Sequence, residues 1–208
     1  MEKFTSFSGI AAPMMRINID TDQIIPGRFL VRTTEVGLGA GLFFNLAHKQ
    51  DGTPDPEFIL NREPYTKAQL LLADRNFGCG SSREAAPRAL RQRGFHAVIA
   101  PSFSGIFYNN CFRNGLLPVE LPEPAVRQLA EGAEKNPTGE IAVDIDKQTV
   151  TSQTGATYRF EMPPRLRLML VEGLDEIDVT LTRQEEIEAF RKKDRVLRPW
   201  AYHPASTI

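Results

Sequence analysis

The chain has 208 residues, 41% of them hydrophobic, which is enough to bury a core and short enough to form one domain. Its 25 basic and 26 acidic residues leave a net charge of −1, so nothing in the balance asks for nucleic acid or an anionic membrane surface, while a protein partner stays open. Two cysteines, Cys79 and Cys111, are too few for a disulfide framework and lack zinc or cluster spacing, and His48, His96 and His203 are scattered, so no metal site is expected; without a signal peptide or long apolar span the chain reads as soluble and cytoplasmic.

The opening, Phe4 to Pro13, mixes small and apolar residues and leads into Arg16-Ile-Asn-Ile-Asp20, whose alternation predicts a short strand. Residues 27–41, ending in Gly37-Leu-Gly-Ala-Gly41, read as a long mobile connection, followed by a short helical stretch near Leu42 to His48. Asp51 to Glu63, with Pro54, Pro56 and Asn61, reads as an exposed loop. From Leu70 the pattern becomes regular: strand Leu70–Asp74, helix Arg83–Arg93, strand His96–Ala100, helix Ser104–Arg113, strand Leu116–Leu121, helix Pro124–Glu134. This alternation argues for an α/β core with parallel strands. Ile141–Ile145 and Thr157–Phe160 read as paired strands around a turn near Thr154-Gly155. Pro163 and Pro164 start a helix that Gly173 ends, and Arg183–Asp194 reads as a last amphipathic helix before a tail containing Trp200 and Tyr202.

The most informative stretch is Asp74-Arg-Asn-Phe-Gly-Cys-Gly-Ser-Ser-Arg-Glu-Ala-Ala-Pro87, which sets two glycines, two hydroxyls and an arginine where a strand becomes a helix. Gly78 and Gly80 allow positive φ or a close backbone approach, Ser81 or Ser82 can cap the helix, and first-turn N–H groups attract an anion. Arg83 adds a planar fork that matches a carboxylate. A capped helix start with no ligand is the plainer reading. The stretch lacks the Lys of a phosphate loop, the third small residue of a dinucleotide fingerprint and the Gly-x-Ser-x-Gly of a hydrolase elbow. Cys79, at a helix start beside an arginine, reads either as a nucleophile or as a small buried turn residue. Cys111 reads as core, and the amides of Asn109 and Asn110 either fix the glycine turn or serve their own helix.

Two motifs together, Asn18-Ile-Asp-Thr-Asp-Gln-Ile-Ile-Pro26 and Asn76-Phe-Gly-Cys-Gly-Ser-Ser-Arg-Glu84, resemble the small-subunit family of 3-isopropylmalate dehydratase, which is similar to the swivelling domain of aconitase. Ile99-Ala-Pro-Ser-Phe103, Ile106-Phe-Tyr-Asn-Asn110, Asn114-Gly-Leu-Leu-Pro118 and Gly173-Leu-Asp-Glu-Ile177 extend the resemblance over nearly the whole chain. It implies an α/β fold of the aconitase swivelling type, three layers β/β/α with a partly parallel sheet. A single domain would span 1–208, with a mobile substrate loop at about 27–41 and a C-terminal extension at about 195–208. It also implies a heteromer whose large subunit carries a four-iron four-sulfur cluster, this chain binding no cofactor, and a hydroxy diacid isomerised by dehydration and rehydration in leucine biosynthesis. By the same resemblance Ser81 is the catalytic base, Asp22 orients it or a neighbouring cation, and Ser82, Arg83, Thr21, Arg28 and Arg32 bind substrate. Plainer readings stand beside these: a cap for Ser81, a turn-forming Asp for Asp22, and solvated surface side chains for Arg28 and Arg32.

Four positions depart from that family's usual pattern: Ala85 in place of His, Arg88 of Trp, Gly27 of Lys and Arg93 of Tyr. They leave room for a related substrate of the methylmalate or homoaconitate type. A cysteine-dependent hydrolase using Cys79 and a non-catalytic carboxylate-binding subunit are the competing readings of other classes.

Overall fold

A computed structural model describes residues 3–30, 37–80 and 83–202. Its centre is a seven-stranded sheet built from β1 (Phe7–Met14), β2 (Leu70–Ala73), β3 (Ala97–Ala100), β4 (Leu117–Glu120), β5 (Glu140–Asp144), β6 (Thr149–Thr151) and β7 (Thr157–Arg159), in the order β4-β3-β2-β1-β5-β6-β7. The helices are α1 (Thr21–Ile24), α2 (Phe44–Ala47), α3 (Ala85–Gln92), α4 (Gly105–Arg113), α5 (Glu123–Lys135), α6 (Pro164–Glu172), α7 (Glu176–Leu181) and α8 (Gln184–Leu197).

The sheet changes character at β1. Its second half, Ala11 to Met14, runs parallel to β2, whereas its first half, Phe7 to Ile10, runs antiparallel to β5. Strands β1 to β4 are joined by helical crossovers, as parallel pairing requires, while β5 to β7 form an antiparallel meander. An α/β fold with a partly parallel sheet is therefore what forms.

Side chains alternate across a strand, so each strand of the parallel half feeds two cores. Leu71 and Ala73 of β2 join Phe43, Leu90, Phe95, Phe107 and Cys111 on one face. Leu70 and Leu72 join Phe112, Val126, Leu129, Ala130 and Leu170 on the other. Because both faces are covered, β2 and β3 are buried at every position and read as unbroken apolar runs. Pro164 in the first turn of α6 and Gly173 at φ 68° after its last turn give that helix its expected ends.

Four expectations need correction. Arg16 to Asp20 is not a strand; the strand is the preceding Phe7–Met14, and Asn18, at φ 55°, turns the chain away from extended geometry. Asp51 to Glu63 is not wholly exposed, since Phe58 and Leu60 are buried against the core. β5 and β7 do not pair with each other: β6, too short to stand out, lies between them, and the turn at Thr154-Gly155 joins β6 to β7. A further helix, α7, precedes the last one, started by a capping box in which Asp175 and Asp178 bond each other's backbone N–H. Of the loop at 27–41, residues 31–36 lie outside the described residues; Gly27–Phe29 and Leu38–Gly41 form short 3-10 turns.

Leu71→Ala tests the double-faced core. It should lower unfolding free energy by about 2–5 kcal/mol, with the urea midpoint falling and the slope unchanged; a loss under about 1 kcal/mol would contradict the packing described.

Candidate active site

The site lies where β1, β2 and β3 end, the carboxyl edge at which open α/β sheets hold ligands. Beyond β2 the chain turns through Asn76, Phe77, Gly78, Cys79 and Gly80 and is bonded on both sides. On one side Gly78 N–H donates to the Ile19 carbonyl at 2.7 Å and Thr21 N–H to the Cys79 carbonyl at 2.9 Å. Asn18 N–H donates to the Arg75 carbonyl at 3.0 Å, and the Asn76 side-chain amide to Asn18 Oδ1 at 2.9 Å. On the other side Phe77 N–H donates to the Ser102 carbonyl, Ser104 N–H to the Phe77 carbonyl, and Asn76 N–H to Ser102 Oγ at 2.9 Å. The two motifs singled out in the sequence are thus neighbours in a short parallel ladder.

Both glycines of the turn have positive φ, 74° at Gly78 and 87° at Gly80. They differ in what surrounds them. A Cβ on Gly78 would lie 2.2 Å from Phe107 Cγ, while one on Gly80 would meet, among the described residues, nothing closer than Asp20 Cβ at 3.5 Å. The phenylalanine of α4 is the floor on which the turn rests.

The ladder sets Asp22 against Arg83. Asp20 caps α1, accepting from Gln23 N–H at 2.7 Å, so Asp22 projects from the first helical turn. Arg83 Nη1 donates to Asp22 Oδ1 at 2.5 Å. The guanidinium is largely sheltered, the carboxylate more than half exposed. A pair so open to water adds little stability; its use is to aim the cation. A guanidinium has five N–H donors, and this one gives a single one to Asp22 among the described residues. A Cβ at Gly27 would lie 3.6 Å from Arg83 Nη1, so the glycine leaves that flank of the cation open.

The other expected site residues fall as follows. Thr21 is buried, bonded through its backbone to Cys79 as given above. Arg28 turns to α2 instead of joining Arg83: Nη2 donates to Asn45 Oδ1 at 2.8 Å, and the guanidinium lies 4.8 Å over the Phe44 ring. Ser81, Ser82 and Arg32 lie outside the described residues. Helix α3 starts later than expected, at Ala85 with Glu84 in the cap position and no side-chain cap bond. Glu84 Oε1 accepts instead from Arg88 Nη2 at 3.0 Å. The amides of Asn109 and Asn110 serve α4 and its end, Asn109 donating to the Gly105 carbonyl and Asn110 accepting from Arg113. Burial pushes the neighbouring Tyr108 phenol up to about 12.

Cys79 is no activated nucleophile. Burial and, after it, the charge of Asp20 raise its thiol above the ordinary cysteine range, so it stays protonated at neutral pH. Cys111 is fully buried and shifted further in the same direction by burial alone. Among the described residues no three His, Cys, Asp or Glu side chains converge as metal ligands, and no helix is long and apolar enough to cross a membrane. A cavity of about 580 Å³ is lined by Gly39, Leu42, His48, Phe58, Leu60 and Arg93 among others, and neither Asp22 nor Arg83 is among its lining residues. The ladder and the ion pair, not that hollow, are where the two sequence motifs come together.

Sequence reasoning missed Asn18, Asn76, Ser102 and Phe107 as the parts that hold the turn. Asn at φ 55° and 60° is a left-handed position that the residue type hints at, but the pairing across the fold has no local signal.

The aconitase C-terminal domain model matches residues 1–124, and the LeuD_N model residues 127–164. The 3-isopropylmalate dehydratase small subunit of Roseobacter denitrificans is 46% identical over 200 residues, covering 96% of this chain and 100% of its own. That of Cupriavidus necator is 49% identical over 205 residues, covering 97% and 99%. A solved 3-isopropylmalate dehydratase structure from Methanocaldococcus jannaschii superposes with a TM-score of 0.62 at 26% identity, over 89% of this chain and 99% of that one.

Gly78→Ala and Gly80→Ala should separate steric from conformational cost. Denaturant unfolding should show a loss of about 2–4 kcal/mol at Gly78, where strain and overlap add, and about 1 kcal/mol at Gly80. Equal losses would mean that Phe107 does not support the turn.

Proposed function

The chain belongs to the aconitase C-terminal domain family and, within it, to the 3-isopropylmalate dehydratase small subunits, and we propose that it is the carboxylate-gripping half of that hydro-lyase. The enzyme interconverts 2-isopropylmalate and 3-isopropylmalate in leucine biosynthesis, a cytoplasmic pathway in this reading. The observation that carries the proposal is the Arg83–Asp22 pair held at the end of the parallel strands by the ladder between the two motifs.

The reaction needs three things: a grip on the diacid's carboxylates, a base for a C–H proton beside a carboxylate, and a Lewis acid on the departing hydroxyl. Arg83 grips a carboxylate through the N–H donors that Asp22 leaves over, and Asp22 keeps the guanidinium from swinging away. Ser81, directly after Gly80 in the chain, is assigned as the base, and Ser82 and Thr21 as substrate-oxygen partners, on their match to the family motif. The proton passes from carbon to the Ser81 oxygen as the C–O bond breaks, and it returns when water adds to the other carbon. A serine oxygen is a weak base, and a positive charge such as that of Arg83, two residues on in the chain, would support its ionised form if brought close to it. Arg28 and Arg32 are assigned to the distal part of the substrate, with Arg28 leaving Asn45 to reach it.

The Lewis acid is a four-iron four-sulfur cluster assigned to the large subunit. Cys111, sealed in the core, and the solitary Cys79 do not fit such a cluster, so no step of it belongs to this chain. Gly27, open beside Arg83, is where a related diacid such as methylmalate would be told apart, and kcat/KM for the two substrates decides between them.

Mixing the chain with a cluster-bearing large subunit and following the unsaturated intermediate by its absorbance tests the reading. Activity should require both chains. Ser81→Ala should lower kcat by at least about 10²-fold, and Arg83→Lys should lower kcat/KM by about 10²-fold, mainly through KM. Full activity in Ser81→Ala would remove the base, and tight diacid binding with no turnover in the complex would leave a carboxylate-binding subunit.

A further inference from the structure

The C-terminal helices present apolar side chains that the described residues leave exposed. Ile177 and Leu181, one helical turn apart on α7, are exposed, as are Phe190 and Leu197 on α8 and Trp200 just beyond it. Ile187, Phe190 and Leu197 share one face of α8, by the spacing of three and ten residues. Near the middle of that face sits Asp194, already engaged by Arg198 Nε at 2.7 Å and by the Tyr202 hydroxyl at 2.8 Å. Those bonds fold the chain through Tyr202 back onto α8, whose main packing among the described residues is with the turn at Pro199–Ala201. A helix of 14 residues is marginal in water without a surface to pack on. Exposed apolar side chains gathered on such a helix mark a docking face.

This face is continuous with the active site. Helix α4 begins at the turn, where Ser104 N–H bonds Phe77, and its exposed residues Ile106, Asn109 and Arg113 form one strip along the helix. At the strip's far end Arg113 Nη2 and Nε bond Glu176 Oε1 at 2.8 and 3.0 Å, and Ile177 follows directly. A strip therefore runs from the turn at Phe77, along α4, to the start of α7, and α8 follows α7 in the chain. The chain that completes the half-pocket must lie over the turn and so already meets the near end of this strip at Ile106, which is 54% exposed.

We infer that α7 and α8 are a docking arm for the large subunit, with Ile177, Leu181 and Phe190 as its apolar anchors. The inference rests on the functional reading above, since that reading supplies the partner. The arm lies outside the diacid site: Arg113 and Glu176 separate it from the turn. Its energy goes to assembly, and its substitution should change how much large subunit is needed without changing the rate of the assembled complex.

The experiment titrates the full chain with the large subunit, reading half-saturation of activity and, by sedimentation, heteromer formation, for wild type and for Ile177→Asp with Phe190→Asp. Both positions are exposed, so the double variant should keep the wild-type thermal midpoint; as a second variant, Leu181→Ser checks the same face with a smaller change. The double variant should need at least about 30-fold more large subunit for half-saturation and reach the wild-type kcat at excess, as loss of an apolar hot spot implies. Unchanged half-saturation with a wild-type chain that binds normally would overturn the docking arm alone. Failure of the wild-type chain to bind any large subunit would overturn both this inference and the functional reading. An isolated chain that sediments as a dimer, dissolved by Ile177→Asp with Phe190→Asp while heteromer affinity is kept, would give the face to a second copy and overturn the inference as well.

Discussion

The short ladder between Ile19–Thr21 and Gly78–Cys79 is the constraint on which the rest of the site depends. Two backbone bonds, 2.7 and 2.9 Å long, join segments that the sequence holds far apart. Without them Asp22 and Arg83 would have no reason to meet, since a solvent-open ion pair cannot assemble a site by its own attraction. The ladder is itself an extension of the parallel sheet: β1 and β2 pair up to Met14 and Ala73, the chains part, and they meet again at Asp20 and Cys79. Core burial on both faces of β2 holds the strands, the strands aim the turn, and the turn, resting on Phe107, aims the cation.

That order of causes explains what could be read from the sequence. The regular part, from Leu70 to Lys135, was legible because strands buried on both faces are continuous apolar runs and the helices between them are amphipathic. Strand β1 was harder, as its Gly9, Ala11, Ala12 and Pro13 carry little of the β-branched signal, whereas Arg16 to Asp20 alternates well and yet turns at Asn18. β6, three residues long, and α7, defined by a capping box, fall below what periodicity can resolve. At the site, Arg83 and Asp22 were legible as chemistry. Their partnership, the Asn18–Asn76 clasp and the attachment of Arg28 to Asn45 and Phe44 are contacts across the fold, which no local pattern encodes.

The distribution of tasks also follows from physical limits. An arginine steered by a carboxylate has N–H donors suited to a carboxylate, but it cannot draw a hydroxide from carbon. The elevated Cys79 thiol adds no nucleophile, since its burial and Asp20 keep it protonated. An open edge that carries an arginine–aspartate pair suits the proposed reading of one side of a shared pocket. Nearly balanced charge suits such a chain, because a surface that must press against a protein partner gains little from strong like-sign repulsion.

The most direct measurement is a crystal structure of the chain assembled with a large subunit and soaked with 3-isopropylmalate. The account predicts one substrate carboxylate within about 3 Å of an Arg83 Nη atom, with Asp22 still bonded to the same guanidinium. A substrate bound wholly within the large subunit, with Arg83 turned to solvent, would contradict it.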